Sequence, residues 1–290
     1  MTFSNNCDGG FFSKKGYLNI ALTSKCPNSC IYCVAKKLRE TEEENIDIEK
    51  IADTVLSFSK RFQCVVIEGG EPLLFPEKVK VLIDFIRPYI KEIYLFTSLP
   101  DIEYKLLLNI INKIDGCNIS IGSFYTFLAA QVMQTNEKLI VRRNLTLAKL
   151  VKDCPDKFRV SFLLCKDLLD TKIQIENEIN AIYKFGIKHI KIGEVSHQPE
   201  LFVGIKNIWP ELKLGDPCYS GCSTYIDKLP NLNLNNNKIL IKRSCWMVEP
   251  SYKPTNKEYI KLTIRNLKDR IIPRTNYKVI YSDGSYANSW

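Results

Sequence analysis

With 290 residues, 45% hydrophobic and 25% charged, the chain has the make-up of a globular protein that can bury one large core or two ordinary ones. Its first ten residues hold no basic segment followed by an apolar stretch, and no apolar run approaches the ~20 residues a spanning helix needs; neither a secretory signal nor a membrane span is expected, and the cytoplasm is the expected location. The net charge of +9 is uneven: from Lys238 onward eleven Lys/Arg stand against four acids, +7 of the total in the last fifth of the chain, which suits either a solvated basic face or an anionic partner.

In chain order, the first strong element is the apolar run Tyr17–Thr23, read as a strand. A polar, acidic connection over 39–45 follows. The residues from Asp47 to Phe58 place Ile48, Ile51, Ala52, Val55 and Leu56 at helical spacing. Cys64 to Ile67 is continuously apolar, as a strand buried on both faces is. It ends in Glu68-Gly-Gly-Glu-Pro72, and Pro76 suits the first turn of a helix running to about Tyr89. Ile93–Thr97, Cys117–Ile121, Phe158–Leu164 and Ile187–Ile192 read as further strands. The helices between them are expected over 102–114, 137–151 (with Val141, Leu145 and Leu147 apolar) and 171–185 (with Ile173, Ile175, Ile179 and Ile182 apolar), the last stopped by Gly186.

Six strands alternating with helices predict βαβ units and a parallel sheet. Right-handed crossovers curl such a sheet into a barrel. The expected fold class is therefore α/β: a partial (β/α)6, TIM-like barrel over residues 1–198. A small basic C-terminal extension, 199–290, would follow, with strands near 238–242 and 277–281 and a turn at 282–285. In such folds the chemistry lies in loops at the carboxyl ends of strands.

Eleven cysteines are many for a reducing compartment, and an odd number argues against a complete disulfide framework. Cys64, Cys117 and Cys165 sit in apolar runs and are expected in the core. Cys26, Cys30 and Cys33 instead crowd one loop, Cys26-Pro-Asn-Ser-Cys30-Ile-Tyr-Cys33, directly after the first strand. A structural zinc ion takes four Cys or His ligands, and the two histidines, His189 and His197, lie far along the chain. A cubane [4Fe–4S] cluster normally takes four cysteines. Three local thiolates would leave one iron open to a small molecule.

This CxxxCxxC spacing, with aromatic Tyr32 before the last cysteine, resembles the radical S-adenosylmethionine (SAM) superfamily. Gly69-Gly-Glu-Pro72, 36 residues beyond Cys33 and after the second strand, matches the family's GGEP motif. The resemblance implies a [4Fe–4S] cluster on Cys26, Cys30 and Cys33, with SAM chelating the open iron. It implies a SAM site at Tyr32, Gly69, Gly70 and Glu71. It implies reductive cleavage of SAM to methionine and a 5′-deoxyadenosyl radical that abstracts a substrate hydrogen. Electrons would come from a flavodoxin- or ferredoxin-like protein.

Polar residues at other strand ends, Thr97, Ser98, Ser120, Ser123, Ser161 and Glu194, are either SAM contacts or ordinary strand termini. Ser98, Ser120, Ser161 and Glu194 are carried as cofactor-binding candidates. Arg142 and Arg143 suit a helix surface, or pairing with a carboxylate. Cys218, Cys222 and Cys245 form a second set, with Cys7 or Cys154 as a fourth donor; the readings are an auxiliary Fe–S cluster, zinc or no metal. A small-molecule or nucleotide-derived substrate is expected. A tRNA or peptide docked on the basic segment is the alternative, and a non-catalytic, metal-binding, nucleic-acid-binding protein is the reading from another class. The tail mixes basic and aromatic residues (Trp246, Tyr252, Tyr259, Tyr277, Tyr281, Tyr286 and Trp290), as RNA binders do and as a plain packing face also does.

Overall fold

A computed structural model describes residues 17–33, 45–195, 198–211, 223–226, 239–242 and 277–287. The proposed auxiliary cysteines Cys7, Cys218, Cys222 and Cys245, His197, and most of the basic aromatic tail lie outside the described residues.

Strands and helices alternate in the order β1 (Tyr17–Thr23), α1 (Ile48–Phe58), β2 (Cys64–Gly69), α2 (Pro76–Ile86), β3 (Glu92–Thr97), α3 (Tyr104–Lys113), β4 (Gly116–Ser120), α4 (Thr126–Met133), α5 (Glu137–Asp153), β5 (Phe158–Leu164), α6 (Lys172–Lys184) and β6 (His189–Glu194). A short helix α7 (Ile205–Ile208) and strands β7 (Ser223–Ile226), β8 (Ile239–Lys242), β9 (Tyr277–Ile280) and β10 (Tyr286–Ala287) complete the described chain.

Local chemistry explains the helix starts. The Asp47 carboxylate accepts from Lys50 N at 3.1 Å, and Asn136 caps α5 by accepting from Lys138 N at 2.8 Å. Thr171 and Gln174 form a reciprocal capping box at α6. Gly186, at φ +94°, follows the end of that helix as expected.

The strands form one open sheet in the order β10-β9-β1-β2-β3-β4-β5-β6-β8-β7. Eight of them, β9, β1 through β6 and β8, run parallel; the edge strands β10 and β7 are antiparallel to their neighbours. The expected barrel is thus partial, and the C-terminal strands extend it at both edges: β9 pairs with β1 and β8 with β6. The β9–β10 turn docks on α1, where Thr54 Oγ1 donates to the Gly284 carbonyl at 2.8 Å and Asp47 N to Ser282 O at 2.9 Å. Tyr286 meets Phe58 edge-on at 4.9 Å between centroids. For that tail aromatic, packing is the observed role.

The helices bury their stripes on one face of the sheet. Leu18, Ile20, Val65, Ile67, Ile93 and Leu95 pack against Ile51, Val55, Leu82, Ile83, Ile110, Leu147 and Ile179 in one core; each such side chain is worth roughly 1.5–3 kcal/mol when fully buried. Cys64, Cys117 and Cys165 are buried as expected. The alternate strand positions face inward. There Cys64, Val66 and Tyr94 cluster with Tyr17 and Phe96.

Three features depart from expectation. Thr126–Met133 is a helix that its sequence does not announce: it is apolar nearly all round, so no stripe stands out. On α5 the inward face carries Ile140, Arg143, Leu147, Leu150 and Val151, while Val141 and Leu145 are exposed. Arg143 is therefore buried, at 4% exposure, instead of lying on the surface; Arg142 is exposed and pairs with Asp101 at 2.7 Å. Ile173 of α6 likewise faces outward, because its capping turn puts Ile175, Glu178, Ile179 and Ile182 inside.

Candidate active site

The cysteine loop leaves β1 through an irregularity in its pairing with β2, between Ala21 and Thr23. Bulges of this kind re-aim a chain next to a site. Thr23 Oγ1 accepts from Lys25 N at 3.1 Å, and a turn closes with Cys33 N donating to Cys30 O at 3.0 Å. The middle of the loop leans on the C-terminal end of α4: Ser29 N donates to Met133 O, and Ile31 N to Val132 O, both at 3.0 Å. Cys30 packs on Ala129, Met133 and Ile140. Cys26, Cys30 and Cys33 are outside any disulfide, and each is half-buried.

The glycine turn after β2 presses against this loop. Gly70 N donates to Thr23 O at 2.6 Å and Glu71 N to Lys25 O at 2.8 Å. Gly69 sits at φ +129°, and a Cβ there would lie 2.5 Å from Thr23 O; at Gly70 it would lie 2.2 Å from Lys25 O and 2.6 Å from Ser24 O. Only glycine allows this approach. The two motifs therefore meet backbone to backbone at the carboxyl ends of adjacent parallel strands.

Glu71 is fully buried. Its Oε1 accepts from Thr97 Oγ1 at 2.6 Å and Leu73 N at 3.0 Å; its Oε2 accepts from Ser98 N at 2.7 Å and Ser98 Oγ at 2.6 Å. Burial raises its pKa, against the lowering effect of the bonds from Ser98 and Thr97. Ser98 Oγ in turn accepts from Asn28 Nδ2 of the cysteine loop at 2.9 Å. Ser98 is thus brought to the cysteines.

Ser120 and Ser161 lie side by side on the inner face of β4 and β5, 3.4 Å apart. Asn118 Nδ2 donates to Ser161 Oγ at 2.9 Å, and Arg159 Nε to Asn118 Oδ1 at 2.8 Å. Arg159 lies over the Phe96 ring at 5.7 Å. The register places Arg159 beside His189 and Ser161 beside Lys191, so this half of the inner face is polar and cationic where the β2–β3 half is apolar. Glu194 shares the strand parity of Ile190 and Ile192, which face the helices, and its Oε1 accepts from Ile205 N at 2.8 Å. Ile205 belongs to α7.

Behind the cysteine loop, Arg143 uses every donor. Nη1 donates to Ile121 O at 2.8 Å and meets Met133 Sδ at 3.2 Å; Nη2 donates to Ser123 O at 3.2 Å and Asn144 Oδ1 at 3.0 Å; Nε donates to Asn144 Oδ1 at 3.1 Å. Burial pushes its pKa down to about 10, so it is a cation at neutral pH. Across Ser123 stands Glu178, fully buried, accepting from Ser123 Oγ and from Phe124 N at 2.8 Å. Tyr32 is half-buried as a residue. Burial of its phenol, then the charge of Cys30, Cys165 and Cys33, holds its pKa well above the usual 10. Neither the Arg143 brace nor the Glu178–Ser123 pair is signalled in the sequence, because each joins elements far apart in the chain.

Among the described residues, no three Cys, His, Asp or Glu side chains converge as the ligands of one metal ion do. A cluster does not require this, since its thiolates bind different irons. Three thiols within eight residues of one half-buried loop are a donor set that fits a cluster.

The family described as the Radical SAM superfamily matches residues 20–151. No curated protein matches in sequence. Among solved structures, Streptococcus suis SuiB bound to S-adenosylmethionine aligns with a TM-score of 0.62 and 14% identity, over 96% of this chain and 60% of that one. SuiB bound to its precursor peptide SuiA aligns with a TM-score of 0.59 and 13% identity, over 97% of this chain and 60% of that one. At such identity the likeness is one of fold, and the chain spans 60% of SuiB's length. The segment 20–151, whose two motif loops close on each other at the ends of β1 and β2, is thus the part of this chain that matches the radical SAM superfamily.

Proposed function

We propose that the protein is a SAM-dependent iron–sulfur enzyme that abstracts a hydrogen atom from its substrate. The observation that carries this reading is the direct backbone pairing of the cysteine loop with the Gly69–Gly70–Glu71 turn. It sets three thiols and a glycine-lined backbone edge side by side, as a ligand shared between a cluster and a SAM site requires.

Cys26, Cys30 and Cys33 would hold a [4Fe–4S] cluster. Such a cluster supplies the electron that splits the C5′–S bond of SAM, giving methionine and a 5′-deoxyadenosyl radical. The chain's own part is placement and protection. The α4 carbonyls hold the loop at Ser29 and Ile31. The Gly69–Gly70 turn offers a surface without side chains. Ser120 and Ser161 line the inner face on which SAM and substrate would lie, and the apolar cluster of Val66, Tyr94 and Phe96 keeps water from the opposite half. A flavodoxin- or ferredoxin-like protein would supply the electron.

The first substrate reading is a small or nucleotide-derived molecule on this inner face, where Arg159 and Lys191 favour an anionic group. The second is a peptide, favoured by the fold likeness to SuiB, which has been solved with its precursor peptide.

Anaerobic reconstitution tests the enzyme reading. About four irons per chain are expected, with an EPR signal on reduction that SAM alters; zinc in place of iron, and no signal, would sink it. A cell extract split by size tests the substrate. Stimulation of 5′-deoxyadenosine release by the low-mass filtrate supports a small molecule, and stimulation by a protease-sensitive retentate supports a peptide.

A further inference from the structure

We propose that Glu71 is a positioning residue for the cysteine loop: through Ser98 its carboxylate holds Asn28, between Cys26 and Cys30, and it is not a ligand of the methionyl ammonium of SAM. This rests on the enzyme reading above and goes further, assigning the motif's one charged group to the cluster loop.

An ionised carboxylate has about four lone-pair sites. Those of Glu71 are filled by Leu73 N, Thr97 Oγ1, Ser98 N and Ser98 Oγ, all within 3.0 Å. The residue has no exposed surface. An approaching ammonium would have to displace a bond the protein already makes. The hydroxyls have only one proton each. Ser98 gives its proton to Glu71 and so accepts from Asn28 Nδ2 at 2.9 Å; Thr97 does the same and accepts from Leu99 N at 2.8 Å. The direction of the relay is fixed from Asn28 through Ser98 to Glu71.

The backbone at both ends is shaped for this. Leu99 stands at φ +58° while 1% exposed, a left-handed conformation that a leucine holds only when its surroundings impose it. Here it turns the chain so that Thr97 and Ser98 both point their donors at one carboxylate. On the other side, Glu71 N is bonded to Lys25 O, beside Cys26. Glu71 thus grips the cysteine loop at two places, by its backbone next to Cys26 and by its side chain through Asn28. Asn28 itself is 6% exposed.

The test uses the reconstituted holoprotein and four variants, Glu71→Gln, Ser98→Ala, Ser98→Thr and Asn28→Ala. The readouts are the rate of iron loss to a chelator, followed at the cluster's visible absorbance, the EPR spectrum of the reduced cluster, and SAM affinity from the SAM-induced EPR change. Loss of an outer partner typically costs a metal site roughly 10- to 100-fold, so Glu71→Gln, Ser98→Ala and Asn28→Ala should each release iron at least about tenfold faster. Ser98→Thr, which keeps the hydroxyl, should restore retention. The double variant Glu71→Gln/Asn28→Ala should be no worse than the worse single one, because both cut the same relay. If Glu71→Gln fails to fold, the Ser98 and Asn28 variants decide alone. Wild-type iron retention in Ser98→Ala and Asn28→Ala, or weakened SAM binding in Glu71→Gln with unchanged retention, overturns the inference while leaving the enzyme reading intact. A wild-type chain that takes up no cluster overturns both.

Discussion

Ser29 donates its backbone N–H to the carbonyl of Met133 at 3.0 Å. The cysteine loop is thereby supported from below by α4, and α4 is held by Arg143, which reaches Met133 Sδ, Ile121 O and Ser123 O from α5. A cation buried at this point organises three segments. Removing it takes the guanidinium donor from Ser123 O and leaves Ile121 O with the Ser123 N–H, at 2.7 Å.

Arg143→Met should therefore destabilise the protein although its volume is largely kept. A buried group left unpaired costs about 1–3 kcal/mol, so a loss of about that size is expected in denaturant unfolding. Arg143→Lys should not rescue it, since an ammonium cannot present the planar fork that serves Ile121 and Ser123 together. Wild-type stability in either variant would contradict the brace.

Gly70→Ala should be far worse than Gly204→Ala. At Gly70 the added Cβ would stand 2.2 Å from Lys25 O, a backbone atom that no rotamer change can move; at Gly204 the nearest atoms are 3.6 Å away. Overpacking typically costs about 1–3 kcal/mol, and here the strain falls on the loop that carries Cys26. The expected result is a lower Tm and faster iron loss for Gly70→Ala, with Gly204→Ala close to wild type in both.

The alternation of strand and helix from β1 to β6, the helix stop at Gly186 and the two motifs at strand ends were all legible, because each is written within a few neighbouring residues. What was not legible depends on distant pairing. The edge positions of β8 and β9 come from contacts with β6 and β1, far earlier in the chain. Thr126–Met133 lacks a stripe because both its sides are apolar. Arg143 looked like a surface residue because nothing near it in sequence shows the carbonyls of Ile121 and Ser123 waiting for donors. Glu71 was legible as part of a motif, but its four donors were not.

His189 should make stability depend on pH. Burial, then the positive charge of Arg159, lowers its pKa from 6.5; Asp156 opposes this and Lys188 adds to it. Below 6.5 the unfolded chain binds the proton more readily than the folded one. Stability is therefore full above pH 6.5 and falls as pH drops through the window down to the folded value. Equilibrium unfolding from pH 7.5 to 5 should show this slope, and His189→Asn should flatten it; equal slopes would refute the assignment.

Thr171→Ala should cost about 1 kcal/mol, the usual value of an N-cap. Both halves of its capping box are formed: Gln174 N donates to Thr171 Oγ1 at 3.4 Å, and Thr171 N donates to Gln174 Oε1 at 3.1 Å. Thr171→Ser should retain most of that stability. Urea midpoints of the three proteins provide the check.

On the proposed function, Cys26, Cys30 and Cys33 hold a cluster that cleaves SAM beside the Gly69–Gly70 turn. The most direct measurement is 5′-deoxyadenosine formed by the anaerobically reconstituted protein with dithionite and SAM, compared with Cys33→Ala handled in the same way. Product is expected from the wild type and none from Cys33→Ala at unchanged secondary structure. No product from a wild-type protein shown to carry iron and sulfide, or equal product from both, would contradict it.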